Sequence, residues 1–107
     1  MPKICMSGYT FDGPFKLDVN ELPADAGVCL VCTESGYGIK VMSIENATNA
    51  NDHIKNNNRR ECWKRTAEKD VVDIYFIKIE NKEDRIKAVK ALKDGRRYKM
   101  ACEEYAP

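Results

Sequence analysis

The sequence predicts an α+β domain: a small three-stranded antiparallel sheet flanked by helices, with elements in the order β-β-α-β-α. Three observations predict it. Val28-Cys29-Leu30-Val31-Cys32-Thr33 is an unbroken run of β-formers between Gly27 and Glu34-Ser35-Gly36, which reads as a buried central strand. Val71 to Ile79 is nearly all β-branched or aromatic, with Asp73 and Lys78 as its only charges. Lys82 to Lys93 places Ile86, Val89 and Leu92 on one helical face, and Gly95 suits its C-terminal stop.

The remaining elements follow in chain order. Residues 1–20 read as a turn-rich N-terminal segment, because in Asp12-Gly13-Pro14 glycine tolerates positive φ and proline pre-sets its own. Pro23 to Gly27 is a second turn that launches the Val28 strand. After a short glycine-containing loop, Tyr37 to Ile44 forms the next strand, with Ile39, Val41 and Ser43 on one face, and the two strands make an antiparallel hairpin. Asn46 to Asn58 is a thin amphipathic helix, since Ala47, Ala50 and Ile54 fall at helical spacing with His53 beside them. Its six asparagines weaken it, because the side-chain amide competes for backbone hydrogen bonds. Arg59 to Arg65 reads as a basic loop leading to the Val71 strand. The expected core contains Val28, Leu30, Val41, Ile54, Val72, Ile74, Phe76, Ile86, Val89 and Leu92. With no internal repeat and no linker, residues 1–107 read as a single domain.

Composition narrows the function classes. Hydrophobic residues at 43% and charged residues at 33% describe a chain that folds. Eighteen Lys and Arg against 17 Asp and Glu leave a net charge of +1, which disfavours a protein devoted to coating nucleic acid or anionic membrane. No apolar run approaches the roughly 20 residues that cross a bilayer, so no membrane partner is expected. Met1 to Gly8 lacks the apolar stretch of a signal peptide. The five cysteines, Cys5, Cys29, Cys32, Cys62 and Cys102, form no framework, so five reduced thiols in a cytoplasmic protein are expected.

Several local motifs, in this order of elements, resemble the GIY-YIG nuclease superfamily. The family hairpin opens with Leu-Pro, a short turn and Gly-hydrophobic-Tyr, which here stands as Leu22-Pro23-Ala24-Asp25-Ala26-Gly27-Val28-Cys29. A subset of small bacterial relatives begins with a Gly-Pro-Phe segment, matched by Gly13-Pro14-Phe15, and carries a Cys-Trp pair after the first helix, matched by Cys62-Trp63. The resemblance runs from about Gly13 to the end of the last helix. It implies a GIY-YIG-like fold and phosphodiester cleavage with one divalent metal. In such enzymes a glutamate on the last helix holds the metal, two hairpin tyrosines place the water, and a helix arginine steadies phosphate charge, since metal and arginine both neutralise charge growing on phosphoryl oxygens.

Carried over position by position, the roles fall on residues that do not perform them. The first tyrosine position is Cys29, the second strand's triplet falls on Ser43-Ile44-Glu45, the arginine position is His53, and the metal glutamate position is Val89. No acid occurs between Asp84 and Asp94 to replace that glutamate. The resemblance therefore implies a degenerate domain with no catalytic residues and no cofactor.

Other candidate chemistry is sparse. Cys29-Leu30-Val31-Cys32 is a CxxC, but residues three apart on a strand point to opposite faces and cannot converge on one zinc ion. His53, the lone histidine, reads as a helix residue at the sheet edge satisfied by water or a carbonyl. Lys55, Arg59, Arg60, Lys64, Arg65 and Lys69 cluster around Trp63 and could hold a nucleic-acid backbone, with Arg59, Arg60, Lys64 and Arg65 as the binding residues. Trp63 itself reads as core. A second basic run, Lys87, Lys90, Lys93, Arg96, Arg97 and Lys99, reads as a solvated face and tail. The favoured function is a non-catalytic binding module on a decayed nuclease scaffold, contacting nucleic acid or protein. The alternative is a divergent metal-dependent endonuclease that uses other acids, such as Glu45 or Glu83, with a divalent metal as its cofactor. A third reading is a domain of this outline unrelated to nucleases.

Overall fold

In the computed structural model, which describes residues 3–17, 21–36, 38–95 and 100–102, a single antiparallel sheet carries the chain. Its five strands are β1 (Lys3–Met6), β2 (Tyr9–Lys16), β3 (Gly27–Ser35), β4 (Gly38–Ala47) and β5 (Asp73–Lys78), arranged β1-β2-β5-β3-β4. Helices α1 (Ala50–Lys55) and α2 (Arg60–Thr66) and a 3-10 turn (Glu68–Asp70) lie between β4 and β5, and α3 (Lys82–Asp94) follows β5. This corrects the expected three-stranded sheet in the order β-β-α-β-α. The two additional strands come from the segment expected to be turn-rich.

That error has a local cause. The true turn is Ser7-Gly8, with φ of 53° and 84°, which joins Met6 to its partner Tyr9 by the two-residue, positive-φ geometry that suits a twisted hairpin. Asp12-Gly13-Pro14 is not a turn but an irregularity inside β2. Asp12 pairs with Phe76 and Phe15 with Ile74, so the register shifts across the glycine and proline. Gly13 is required there because a Cβ would come within 2.8 Å of the Ile74 carbonyl oxygen and the Tyr75 ring. Beyond the shift, Lys16 pairs with Asp73, and its ammonium meets the buried Asp73 carboxylate at 2.5 Å. The odd charge in β5 is thus the docking point of β2, since a buried carboxylate requires a cation.

β3 lies between β5 and β4 and is covered on both faces, which explains its continuous apolar sequence. Cys29 and Val31, with Ile74, Phe76 and Met42, pack under Ile54 of α1 and Trp63 of α2. Val28, Leu30 and Cys32, with Tyr75 and Val41, pack under Ala88 and Leu92 of α3. The tight seam between β3 and β5 begins at Gly27, where any Cβ would collide with the Ile77 carbonyl oxygen and the Phe76 ring.

Three further expectations are corrected. Residues 59–65 are not a loop but mostly helix α2, while α1 is shorter than expected, capped by the Asn49 side chain at its start and ending at Asn56. On α3 the buried face is Arg85, Ala88 and Leu92; Ile86 is 51% exposed and Val89 half-buried. Arg85 is buried because its guanidinium donates to the Asn46 side-chain oxygen at 2.8 Å and to the Ile79 and Glu80 carbonyls at 3.1 and 2.7 Å. Those bonds rotate the helix away from the stripe that apolar spacing alone picks out. The other eight expected core residues are buried. Finally, Cys62 and Cys102 form a disulfide, with Cα atoms 5.9 Å apart, while Cys5, Cys29 and Cys32 stand outside any disulfide. Forty positions separate the pair, so chain spacing did not suggest it. Among the described residues no helix is long and apolar enough to cross a membrane. Tyr37, Arg96, Arg97 and Lys99 lie outside the described residues, as does the side chain of Lys69.

Candidate functional site

β4 is the last strand of the sheet, and a groove of about 590 Å³ runs beside it. β4 supplies Ile44, Glu45 and Asn46, α1 supplies Asp52 and His53, residues 56–59 close one end, and α3 contributes Val89 and Lys93. The lining is mostly amide and charge, with Ile44 and Val89 as its apolar part.

Glu45 organises this wall. It stands opposite Cys29 in the β3–β4 ladder, on the face that carries α1 and α2, and its side chain is only 2% exposed. His53 Nε2 lies 2.8 Å from one carboxylate oxygen, the Asn57 amide donates to the same oxygen at 3.1 Å, and the Arg59 guanidinium donates to the other. Asn57 also accepts from the Arg59 backbone N–H at 2.8 Å, which fixes the bend between α1 and α2. Below them, the Trp63 indole N–H donates to Ser43 Oγ at 2.9 Å, and the Ser43 hydroxyl in turn bonds Glu45. One buried carboxylate therefore ties β4 to α1, to α2 and to the connection between them.

The electrostatics follow from those partners. Burial by itself would raise the Glu45 pKa. The His53 hydrogen bond, the Arg59 charge and the Ser43 hydrogen bond together outweigh it and hold the carboxyl below its ordinary value. An ionised carboxylate only accepts, so His53 Nε2 carries the hydrogen in this pair. Burial, and then the charge of Glu45, push the Cys29 thiol far above its usual range, which makes it an inert core group.

Sequence-predicted site residues separate into two sets. Of the four positions picked out by family resemblance, Cys29 and Ser43 are fully buried, whereas His53 and Val89 both line the groove. Of the basic candidates, Arg59 reaches the groove but is bonded to Glu45, and Arg60 donates to the Ile54 carbonyl at 3.2 Å. Lys64 and Arg65 are exposed on α2, away from the groove lining. Trp63 is fully buried, as expected of core. Cys29 and Cys32 belong to the two opposite-face clusters, so the CxxC pair does not converge. Glu83 is exposed in the first turn of α3. Among the described residues no three His, Cys, Asp or Glu side chains are grouped to hold a metal ion.

The groove residues that sequence reasoning missed are Asn46, Asp52, Asn56, Asn57 and Asn58; Glu45 was singled out only as an alternative catalytic acid and Lys93 only as part of a solvated basic face. One signal was present. Glu45 ends an apolar stretch of β4 on the same side as Ser43, and an acid on a buried face requires nearby cations. The next ones along the chain are His53, Lys55 and Arg59. Compared with protein-family models, curated proteins and solved structures, the chain shows no match.

Proposed function

We propose that this domain is a non-catalytic binding module, that the groove beside β4 is its binding site, and that its ligand is nucleic acid. The observation that carries the non-catalytic part is the state of Glu45. Two acids line the groove, the exposed Asp52 and the buried Glu45, and Glu45 is already bonded to His53, Asn57, Arg59 and Ser43. A carboxylate so saturated braces the wall; releasing it to hold a metal would break its bonds to Arg59, His53 and Asn57. On this reading the groove is what remains of a nuclease cleft, with His53 and Val89 on its lining where GIY-YIG catalytic groups would stand and Cys29 and Ser43 buried, and it binds where such an enzyme would cut.

The ligand class is supported by the lining. The exposed side-chain amides at Asn56 and Asn58 offer donors and acceptors together, as base edges demand, while those of Asn46 and Asn57 are engaged by Arg85, Glu45 and the Arg59 backbone. Lys93 on the lining, with the exposed Lys55 and Lys90 on the flanking helices, suits phosphate. The test is fluorescence anisotropy with labelled single-stranded and duplex oligonucleotides over a salt series. Affinity should appear at low salt and fall steeply as salt rises, because counterion release drives it. Lys93→Glu should weaken it, while Lys64→Gln with Arg65→Gln should not. The same protein with magnesium or manganese should leave the oligonucleotides intact. Affinity absent even at low salt removes nucleic acid and points to a protein ligand. Cleavage that disappears with Glu45→Gln overturns the non-catalytic reading in favour of the endonuclease.

A further inference from the structure

We propose that the Cys62–Cys102 disulfide is a redox latch that straps residues 100–102 across the open edge of β4. The strap has three attachments. Met100, 5% exposed, seats its side chain in the cluster beneath α3, and Cys102, 4% exposed, in the cluster beneath α1 and α2. The segment therefore passes from one face of the sheet to the other around its last strand. On the way the Cys102 backbone N–H donates to the Met42 carbonyl at 2.9 Å, at the point where the β3–β4 register shifts. The edge of a sheet offers unpaired carbonyls to any passing strand, and here the chain's own strap takes one of them. The Cys62–Cys102 disulfide adds a covalent tie to these three.

The two sulfurs differ in a way that sets the chemistry. Cys62 is half-buried on α2, whereas Cys102 is buried, so an incoming thiolate of a dithiol attacks Cys62 Sγ. That attack forms a mixed disulfide with Cys62 and expels Cys102 as the thiolate. The Thr66 hydroxyl lies 3.7 Å from Cys102 Sγ and 3.8 Å from Cys62 Sγ, placed to donate to whichever sulfur leaves. The second thiol of the dithiol then displaces Cys62, so two electrons and two protons pass to the protein and the dithiol becomes a cyclic disulfide. With the covalent tie gone, what holds the strap among the described residues is one backbone hydrogen bond, the Met100 and Cys102 side chains and long sulfur contacts to Thr66 and the Ala101 carbonyl. Its departure frees the Met42 carbonyl. It also loosens the groove, because β4 supplies Ile44, Glu45 and Asn46 and α3, which leads toward the strap, supplies Val89 and Lys93. The latch does not depend on what the groove binds.

The remaining cysteines report on the mechanism. Cys5 is exposed, while Cys29 and Cys32 are buried in the two cores. The whole protein is equilibrated without denaturant in buffers of reduced and oxidised dithiothreitol, quenched with N-ethylmaleimide and mapped by mass spectrometry, with hydrogen exchange followed in parallel. Cys5 should label throughout. Reduction should add label at Cys62 and Cys102 only. Amide exchange should rise by roughly tenfold or more in the strap and around Met42, with β3 and β5 unchanged. The double variant Cys62→Ser/Cys102→Ser should show the reduced pattern whether or not dithiothreitol is present. Three results overturn the proposal: a bond that resists dithiothreitol under native conditions, labelling of Cys29 and Cys32 together with the pair, or β4 exchange that does not change on reduction.

Discussion

Replacing Trp63 by alanine tests how the site is built into the core. The side chain is fully buried beneath the sheet and donates its indole N–H to Ser43. A tryptophan buries about 200 Å², which at roughly 25 cal/mol per Å² amounts to about 5 kcal/mol of transfer free energy for the whole side chain. Alanine retains part of that and the walls relax into part of the void, so the expected loss is about 3–5 kcal/mol. A domain of this kind has roughly 5–15 kcal/mol in total, so the variant should remain folded but with a much lower urea midpoint. Trp63→Phe separates packing from polarity, because it keeps a ring and removes only the donor to Ser43. It should lose less than the alanine variant, with about 1 kcal/mol belonging to the hydrogen bond. Unfolding is followed by far-UV circular dichroism, since Trp63 is the only tryptophan and its fluorescence disappears with the substitution. A loss below about 1 kcal/mol for Trp63→Ala would refute the placement of this ring in a close-packed core.

Glu45 should give the fold a pH dependence of definite sign. Its folded pKa lies below its ordinary value of 4.5, so its stabilisation is present above that pH and is lost as the pH falls through the folded value. Urea midpoints measured from neutral to acid pH should decline below about 4.5 in the wild type, and Glu45→Gln should be less stable at neutral pH with a flatter acid limb; identical limbs would remove Glu45 from the account. Gly27→Ala should destabilise by about 1–3 kcal/mol, because backbone and a ring must move to admit the methyl group; a neutral result in denaturant unfolding would contradict the closeness of the β3–β5 seam. On α3, Ile86→Lys should stay within about 0.5 kcal/mol of wild type, whereas Ala88→Lys should severely destabilise by forcing a charge beneath the sheet. Equal effects at the two positions would restore the helix face that apolar spacing suggests.

What the sequence determined by itself is the part of the fold that rests on local pattern. β3, β5 and α3 were legible because a run of consecutive residues in each states its own preference, and burial of β3 on both faces shows directly as an unbroken apolar run. The core position of Trp63 was legible too, and so was the divergence of Cys29 and Cys32, which follows from strand geometry alone. What the tertiary structure decided are pairings between residues distant in the chain. β2 reads as loop until Asp73, 57 positions from Lys16, is seen to take its ammonium. Arg85 lies outside the Ile86, Val89 and Leu92 stripe that apolar spacing picks out, and Asn46, 39 positions away, accepts from it and turns α3 about its axis. Cys62 meets Cys102 across 40 residues, and Glu45 gathers His53 from α1 and Asn57 and Arg59 from the bend that follows it. In each case a polar or reactive group took the place that apolar periodicity assigns to a hydrophobe or to solvent. Periodicity records only where apolar residues recur, whereas the position of a buried charge or thiol is set by the partner that satisfies it, and that partner is chosen in space.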